Sequence, residues 1–397
     1  MLGEAGLSTL LVDKSEFPRD KPCGGGISAR VLTRFPYLRP ALQNIPVHWV
    51  TKIHFEAPSG VAVDHASRTP LYLMIRRVEF DNLVFSMARN NVDWAGPALV
   101  RKVIVESDGV TVEADAAGER QVYRAKIVLG CDGANSIVAR AAGLRSGSVQ
   151  NDYAIDMMEE TPYQELSLED REWMYVYYGF EGAFGYGYVF PKADHVNLGV
   201  GCKLSFYLSK FHGDHYQQHR SFVDKLISQK LLSGRSRREN FRAFPIPISG
   251  PLARTWSDRV LLAGDAGGFV NAFTAEGIYY AMVSGELAAR TAVQALRAND
   301  FSGQSLGSYE RGWKQEIGED LAKSVAIQRV LLKDLSRVDR VVRAASRNPA
   351  LAALLAEYAT GAITYRHFKR SLIFKALPLY ARERLRAWLA AKSLSVD

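Results

Sequence analysis

The stretch Arg259-Val-Leu-Leu-Ala-Gly-Asp-Ala-Gly-Gly-Phe-Val-Asn-Ala-Phe-Thr-Ala-Glu-Gly-Ile278 decides how the rest of the chain is read. Val260 to Ala263 is a continuous apolar run, as expected of a strand buried on both faces. It ends in Gly264-Asp265-Ala266-Gly267-Gly268, whose glycines permit close backbone approach. Asp265, at the carboxyl end of that strand, can accept hydrogen bonds from a sugar or polyol hydroxyl. Glu276-Gly277-Ile278 then opens an apolar helix (Ile278, Ala281, Met282, Gly285, Ala289) whose first N–H groups can hold a partially negative ligand atom. One reading is a cofactor cradle. The other is a glycine-rich turn between a core strand and a core helix.

Working outward, 397 residues exceed what one core usually fills, so two or three structural units are expected, and 47% apolar content allows sizeable cores. A net charge of +8 fits an anionic cofactor or an acidic membrane surface, and no basic motif interleaved with aromatics argues for nucleic acid. Cys23, Cys131 and Cys202 are too widely spaced to suggest a disulfide framework or a zinc site, which points to a reducing, cytoplasmic setting. No signal peptide is evident, and no apolar run approaches the roughly 18 residues of a membrane span.

Toward the amino terminus, Leu2 to Gly6 reads as the last turn of a helix with its glycine cap, and Leu7 to Val12 as a buried parallel strand ending at Asp13. An acid there is the ribose-binding carboxylate of a dinucleotide fold, or an ordinary strand-end carboxylate. In that fold the acid follows a Gly-x-Gly-x-x-Gly fingerprint by about 20 residues, which places the fingerprint roughly seven residues before Met1. The expectation is therefore a dinucleotide-binding unit truncated at its amino terminus.

Phe17-Pro-Arg-Asp-Lys-Pro-Cys-Gly-Gly-Gly-Ile27 comes next. One glycine suffices for a turn; Gly24, Gly25 and Gly26 together let something flat come close. Cys23 beside them either faces the substrate or is a small buried apolar residue. Alternation from Val47 to Val63 around Pro58-Ser-Gly60 reads as a hairpin inserted at about 45–70. Met74 to Leu83 opens a helix carrying Arg77. Further on, a buried strand stops at Cys131-Asp132-Gly133, with Ser136 and Arg140 on the helix that follows and Cys131 in the core. Trp173 to Phe180, Phe184 to Lys192 and Asn197 to Gly201 read as paired, aromatic-rich strands. His212, His215 and His219 share a helical face, but nothing completes a metal site around them, so they read as a solvated surface and no metal is expected.

These segments, in this order, resemble the geranylgeranyl reductase family of FAD-dependent oxidoreductases, flavoproteins of the aromatic-hydroxylase-like fold. The resemblance implies that Asp265 binds the ribitol chain, that Gly264, Gly277 and Ile278 surround the flavin, and that Asp13, Arg77, Asp132 and Gly133 serve the cofactor. Cys23-Gly24-Gly25-Gly26 closely matches the family's segment beside the flavin ring. Tyr186-Gly-Tyr-Val-Phe-Pro-Lys192 resembles its Tyr-x-Trp-x-Phe-Pro-Lys motif, with Tyr188 in place of tryptophan. Cys23, Tyr186 and Tyr188 become catalytic candidates, and Tyr186, Tyr188 and Phe190 substrate contacts. Ala272 and Ala275 depart from the usual Asn-Pro-Phe-Thr-Gly-Glu-Gly wording.

The expected fold class is α/β (α+β overall): an incomplete Rossmann-like FAD-binding unit with an antiparallel substrate-domain sheet and a helical carboxy-terminal region. Its parts are 1–148 (FAD-binding, first part), 149–249 (substrate sheet), 250–300 (FAD-binding, second part) and 301–397 (helical). The implied activity is FAD-dependent reduction of carbon–carbon double bonds in a polyprenyl lipid, quinone or diphosphate, with NADPH or ferredoxin as electron donor. A flavin monooxygenase or halogenase and a non-catalytic lipid-binding remnant are the alternatives. Basic and apolar residues alternate through Gly361 to Ser393, which suits peripheral membrane contact or packing on the protein's own core. An apolar channel is expected between the aromatic sheet and the carboxy-terminal helices, ending near the three glycines.

Overall fold

The computed structural model describes residues 1–145, 152–211 and 214–376. A 3-10 turn at Gly3–Ala5, closed by Gly6 in the left-handed conformation, leads into β1 (Leu10–Val12). The triple glycine feeds β2 (Gly26–Ser28), followed by the short helices α1 (Val31–Arg34) and α2 (Leu38–Ala41). Strands β3 (His48–Val50), β4 (Lys52–Glu56), β5 (Ala62–Ala66) and β6 (Tyr72–Met74) precede helix α3 (Arg77–Arg89). β7 (Asp93–Ala95) runs parallel to β1. A meander of β8 (Ala98–Val105), β9 (Val110–Ala116) and β10 (Glu119–Ala125) follows, then β11 (Val128–Gly130) and helix α4 (Ile137–Ala141).

The middle of the chain holds β12 (Tyr153–Pro162), β13 (Leu166–Leu168), β14 (Trp173–Tyr178), β15 (Gly185–Pro191) and β16 (His195–Lys203). Helices α5 (Leu204–Lys210) and α6 (His215–Ser228) lead to β17 (Leu232–Gly234) and β18 (Phe241–Pro247). The chain then returns through β19 (Trp256–Ser257) and β20 (Val260–Leu262) to the long helix α7 (Ile278–Ala298). Helices α8 (Gly303–Leu306), α9 (Ser308–Trp313), α10 (Glu319–Leu331), α11 (Leu335–Ser346), α12 (Pro349–Ala359) and α13 (Tyr365–Ser371) complete the described chain.

β20 shows why the apolar run had to be continuous. It pairs in parallel with β11 and antiparallel with β19, and all three of its residues are 0% exposed. Val260 and Leu262 pack on Val138 and Ala139 of α4, whereas Leu261 belongs to the core built on Tyr280 and Val283 of α7. Alternate side chains thus enter two different cores, and a polar residue on either face would be stranded.

The larger sheet has the order β18-β12-β16-β15-β14-β4-β5, antiparallel apart from the parallel pair β14 and β4. The hairpin expected at 45–70 forms as β4 and β5, but it is no separate insertion: it extends this sheet, because Trp173 to Tyr177 align with Lys52 to Glu56. The segment at Met74 is a strand end, and the helix begins at Arg77. β1 is only partly buried, with Leu10 41% exposed, since its strand partner among the described residues is β7 alone. Cys131 is exposed. The core stops one residue earlier, at Gly130, where a Cβ would lie 2.8 Å from both Leu262 and Val138.

Of the three histidines, His212 lies outside the described residues. His219 is not solvated: it is 0% exposed and its Nε2 lies 3.2 Å from Glu159. Its helical face also carries Phe222, Val223 and Leu226, which α6 packs into the core beneath the sheet.

Candidate functional site

The turn after β20 is built for backbone exposure on one side and rigidity on the other. Gly264 has φ +57, and its N–H donates to Ser284 Oγ of α7 at 3.0 Å. A Cβ on Gly277 would meet Asp265 Oδ1 at 3.5 Å, so the carboxylate sits at the start of α7. Among the described residues no side chain caps that start, which leaves its first N–H groups available to a ligand. Ala275 has φ +56, a conformation that costs a non-glycine residue roughly 1–2 kcal/mol. This is one of the two positions where the sequence departs from its family's wording. Ala272 is an ordinary core residue, 4% exposed, whose N–H donates to Ser324 at 2.9 Å.

Asp132 is committed to α4: Oδ1 accepts from Ser136 Oγ at 2.5 Å, and Oδ2 from the amides of Ile137 and Val138 at 2.6 and 3.1 Å. Gly133, with φ +79, has nothing within 4 Å of where a Cβ would stand, so its backbone is open on that side. Arg145 joins this turn to the first one. Its guanidinium donates to the Ala134 carbonyl, to Tyr153 at 2.6 Å, and to the carbonyls of Asp265 and Ala266 at 3.3 Å.

A second chain of contacts runs through the amino-terminal motifs. Asp13, just past β1, pairs with Arg19 at 3.5 Å; Arg19 also reaches Asp81 at 3.1 Å; and Arg77 grips Asp81 with two bonds of 2.7 and 2.8 Å. Burial works against the Arg77 charge, but Cys23 and Asp81 more than offset it and hold the guanidinium above its usual range. Cys23 Sγ accepts from the Gly25 amide at 3.4 Å. Lys21 Nζ lies 3.9 Å from Asp265 and closes the circuit to the β20 turn.

The three glycines are explained by what packs on them. A Cβ on Gly24 would stand 3.0 Å from the Phe190 ring and 3.4 Å from Tyr188. At Gly25, φ +61, it would lie 2.2 Å from the Ile75 carbonyl, too close for any side chain. Lys192, 1% exposed, threads its ammonium onto the Gly24 carbonyl and, at 3.1 Å, onto that of Ile75. Burial pulls this amine down to about 8, opposed by Glu160 and Cys23. The rings of Tyr188 and Phe190 pack at a tilt of 36° with centres 4.5 Å apart.

Two cavities lie in this region, one bordered by Cys23 and the other by Tyr188. A polar one of about 150 Å³ is lined by Lys21, Cys23, Arg76, Arg77, Glu160 and Arg242 among others. A mostly apolar one of about 50 Å³ is lined by Asp156, Tyr186, Tyr188, Ile246, Phe273 and Leu332 among others, between the sheet and the end of α10. It is smaller than the channel expected, and its lining stops at Tyr188, the ring that packs on Gly24, without including the glycines. Tyr186 spends its hydroxyl on the Thr274 carbonyl at 2.6 Å, tying β15 to the loop before α7.

The structure therefore gathers Asp13, Cys23, Gly24, Gly25, Gly26, Arg77, Gly264, Asp265, Gly277 and Ile278 around one region, with Tyr186, Tyr188 and Phe190 on its far side. Asp132 and Gly133 join it through Arg145. The donor set suits a flavin dinucleotide: four cationic side chains line the polar cavity against the acids Asp20 and Glu160, and uncapped amides with an open glycine backbone stand nearby. Sequence reasoning missed Arg145, Asp156 and the burial of Lys192. Lys192 had a signal in the Phe-Pro-Lys wording; Arg145 and Asp156 had none.

A sequence profile described as an FAD binding domain matches residues 1–291. The chain is 30% identical over 245 residues to a digeranylgeranylglycerophospholipid reductase of Methanocaldococcus jannaschii, an alignment covering 58% of this chain and 60% of that one. It is 31% identical over 318 residues to a chloroplastic geranylgeranyl diphosphate reductase of Arabidopsis thaliana, covering 74% and 62%. The chain thus spans about three fifths of either relative. In three dimensions it resembles a geranylgeranyl bacteriochlorophyll reductase-like protein of Thermoplasma acidophilum, with a TM-score of 0.77, 22% identity and 94% of both chains covered. A flavin-dependent brominase shares the fold more distantly, with a TM-score of 0.69 and 17% identity.

Proposed function

Since this chain belongs to the FAD-binding-domain family and FAD is its cofactor, we propose that it reduces carbon–carbon double bonds of a polyprenyl lipid, quinone or diphosphate. The observation that carries this reading is the placement of the Cys23–Gly26 loop. On one side it borders a cationic, polar cavity, and on the other it lies against Phe190 and Tyr188, the second of which lines a mostly apolar cavity. The names of the relatives support the substrate class.

Bound FAD supplies a hydride equivalent. Asp265, Gly264 and the amides opening α7 hold its ribitol and ring, while Arg77, Asp13 and the Asp132–Gly133 turn serve its remaining length. An isolated alkene accepts hydride only as the second carbon is protonated, and Cys23 is the donor we assign, positioned by the Gly25 amide and Arg77. Tyr186, Tyr188 and Phe190 position the prenyl chain and exclude water. NADPH or ferredoxin returns the electrons. The exposed face of α13 contacts an anionic membrane.

The test is an anaerobic assay with a strong chemical reductant, offering polyprenyl phospholipids, quinones and diphosphates, read by mass spectrometry. A gain of two hydrogens per reduced bond in any of them is expected. Oxygenation or halogenation of another substrate without prenyl saturation would replace the reading by a monooxygenase or halogenase. Lipid binding by the flavin-loaded protein with no turnover would make it a binding protein.

A further inference from the structure

Asp156 is a buried acid that the reaction just described leaves unused. It lies on β12 opposite Gly201 of β16 and Phe244 of β18, is 8% exposed and lines the apolar cavity. Tyr188 donates its hydroxyl to the two carboxylate oxygens at 3.4 and 3.2 Å, and among the described residues Asp156 forms no ion pair. A carboxylate without a cationic partner in apolar surroundings is costly, so Asp156 holds a proton more readily here than it would in water. Burial pushes the Asp156 carboxyl up to about 6, while the Tyr188 bond and His219 pull the other way. The groups facing it are Tyr186 and Tyr188 from β15, Cys202 and Lys203 from β16 and His219 from α6.

Tyr188 spans from this acid to the glycine loop. Its Cε2, next to the carbon that bears the hydroxyl, lies 3.4 Å from the Cβ position of Gly24, the residue after Cys23. Burial, Asp156 and Cys23 hold the Tyr188 proton far above its usual range. Of the groups on the Cys23 side, two are already engaged. Glu160 is bound by Arg76 at 2.9 Å and Asn197 at 3.0 Å, and Lys192 is held on two carbonyls.

Resting on the reductase reading with Cys23 as donor, we propose that Asp156 is a positioning residue that recharges Cys23 with a proton through Tyr188 after each turnover. The alkene π bond breaks, one carbon gains the hydride that reduced FAD would supply, and the other gains the Cys23 S–H proton. Cys23 is left as a thiolate beside Arg77. Once Asp156 is protonated, the Tyr188–Asp156 bond reverses, so that the carboxyl donates to the Tyr188 oxygen and the Tyr188 hydroxyl turns toward the glycine loop; Tyr188 then passes its O–H proton to the thiolate through one bridging water while taking the carboxyl proton of Asp156. Asp156 recovers a proton from solvent, and the two electrons lost by FAD are replaced by NADPH or reduced ferredoxin.

The experiment separates the first turnover from later ones. Flavin-loaded wild type, Asp156→Asn and Asp156→Glu are compared anaerobically with dithionite and a geranylgeranyl phospholipid, with flavin content and near-UV circular dichroism confirming the fold. In Asp156→Asn the single-turnover rate should match wild type, while the steady-state rate falls about 10²-fold, the low end of general-acid effects. Rapid-quench alkylation should trap Cys23 as thiolate in that variant, and Asp156→Glu should restore part of the rate. The wild-type steady-state rate should decline as pH rises above about 6, and this limb should be missing in Asp156→Asn. Equal steady-state rates in both proteins would overturn the relay and leave the reductase reading standing. An equally large single-turnover loss would also overturn it, by placing Asp156 in the chemical step or in substrate binding. Wild type that reduces no alkene would overturn the reductase reading, and the relay with it.

Discussion

Lys192 carries an ammonium group in a place where water does not reach. With its amine pulled down to about 8 by burial, the folded protein binds this proton less tightly than the unfolded chain, whose lysine titrates near 10.5. Between those values the unfolded state holds the proton and the folded state does not, so stability from this group rises with pH from about 8 to 10.5. The full rise amounts to about 3 kcal/mol. Urea denaturation at pH 7.5 and pH 10 should show wild type gaining relative to Lys192→Met; parallel pH dependence in the two proteins would mean that Lys192 is not buried as an ammonium. The sequence named this lysine in a motif, yet its burial arises from β15 meeting the glycine loop, a contact 168 residues apart. Local pattern could not supply that. Ala275 is the opposite case, flagged in the sequence as a departure from glycine and found at φ +56.

At the scale of elements, what was legible followed from periodicity. The run Val260 to Ala263, the helix opening at Ile278, the paired aromatic strands and the carboxy-terminal helices all stand where apolar spacing put them. What was not legible is which elements meet. The β4–β5 hairpin joins the aromatic sheet, His219 turns inward, and Arg145 clamps the Asp132 turn to the Asp265 turn, none of which leaves a local trace. Arg145 donates to carbonyls of Ala134, Asp265 and Ala266 that would otherwise lack this charged donor. Arg145→Ala should therefore cost about 2–3 kcal/mol of stability and, on the proposed placement of FAD, weaken its retention, because the two turns lose their shared anchor. Arg145→Lys, unable to reach several acceptors from one planar group, should recover little. Thermal denaturation and the flavin-to-protein absorbance ratio measure the two effects. A destabilised variant that keeps its flavin in full would show that the turns hold their geometry without the clamp.

Over the whole molecule, the charge of +8 is spread so that one end combines basic and apolar groups. On α13, Arg366, Lys369 and Arg370 are exposed, and one turn onward Ile373 is 44% and Phe374 77% exposed. Residues four apart on a helical path share a face, so Arg370 lies above Phe374 and Lys369 above Ile373. Among the described residues no helix is long and apolar enough to cross a membrane. Such contact adds apolar insertion to electrostatic attraction, each basic residue near an anionic surface contributing about 1 kcal/mol. On the proposed activity toward polyprenyl lipids, this arrangement would bring the protein to the bilayer in which such substrates reside. Co-sedimentation with phosphatidylserine-containing vesicles should accordingly exceed that with pure phosphatidylcholine. It should weaken as salt shortens the Debye length from about 10 Å at 0.1 M toward 3 Å at 1 M. Phe374→Glu should lose more than the charge change alone, since it removes an inserting ring and adds repulsion, while soluble-substrate turnover with short-chain prenyl diphosphates stays unchanged. Equal binding to both vesicle types, insensitive to salt and to Phe374→Glu, would reduce the face to ordinary solvated surface.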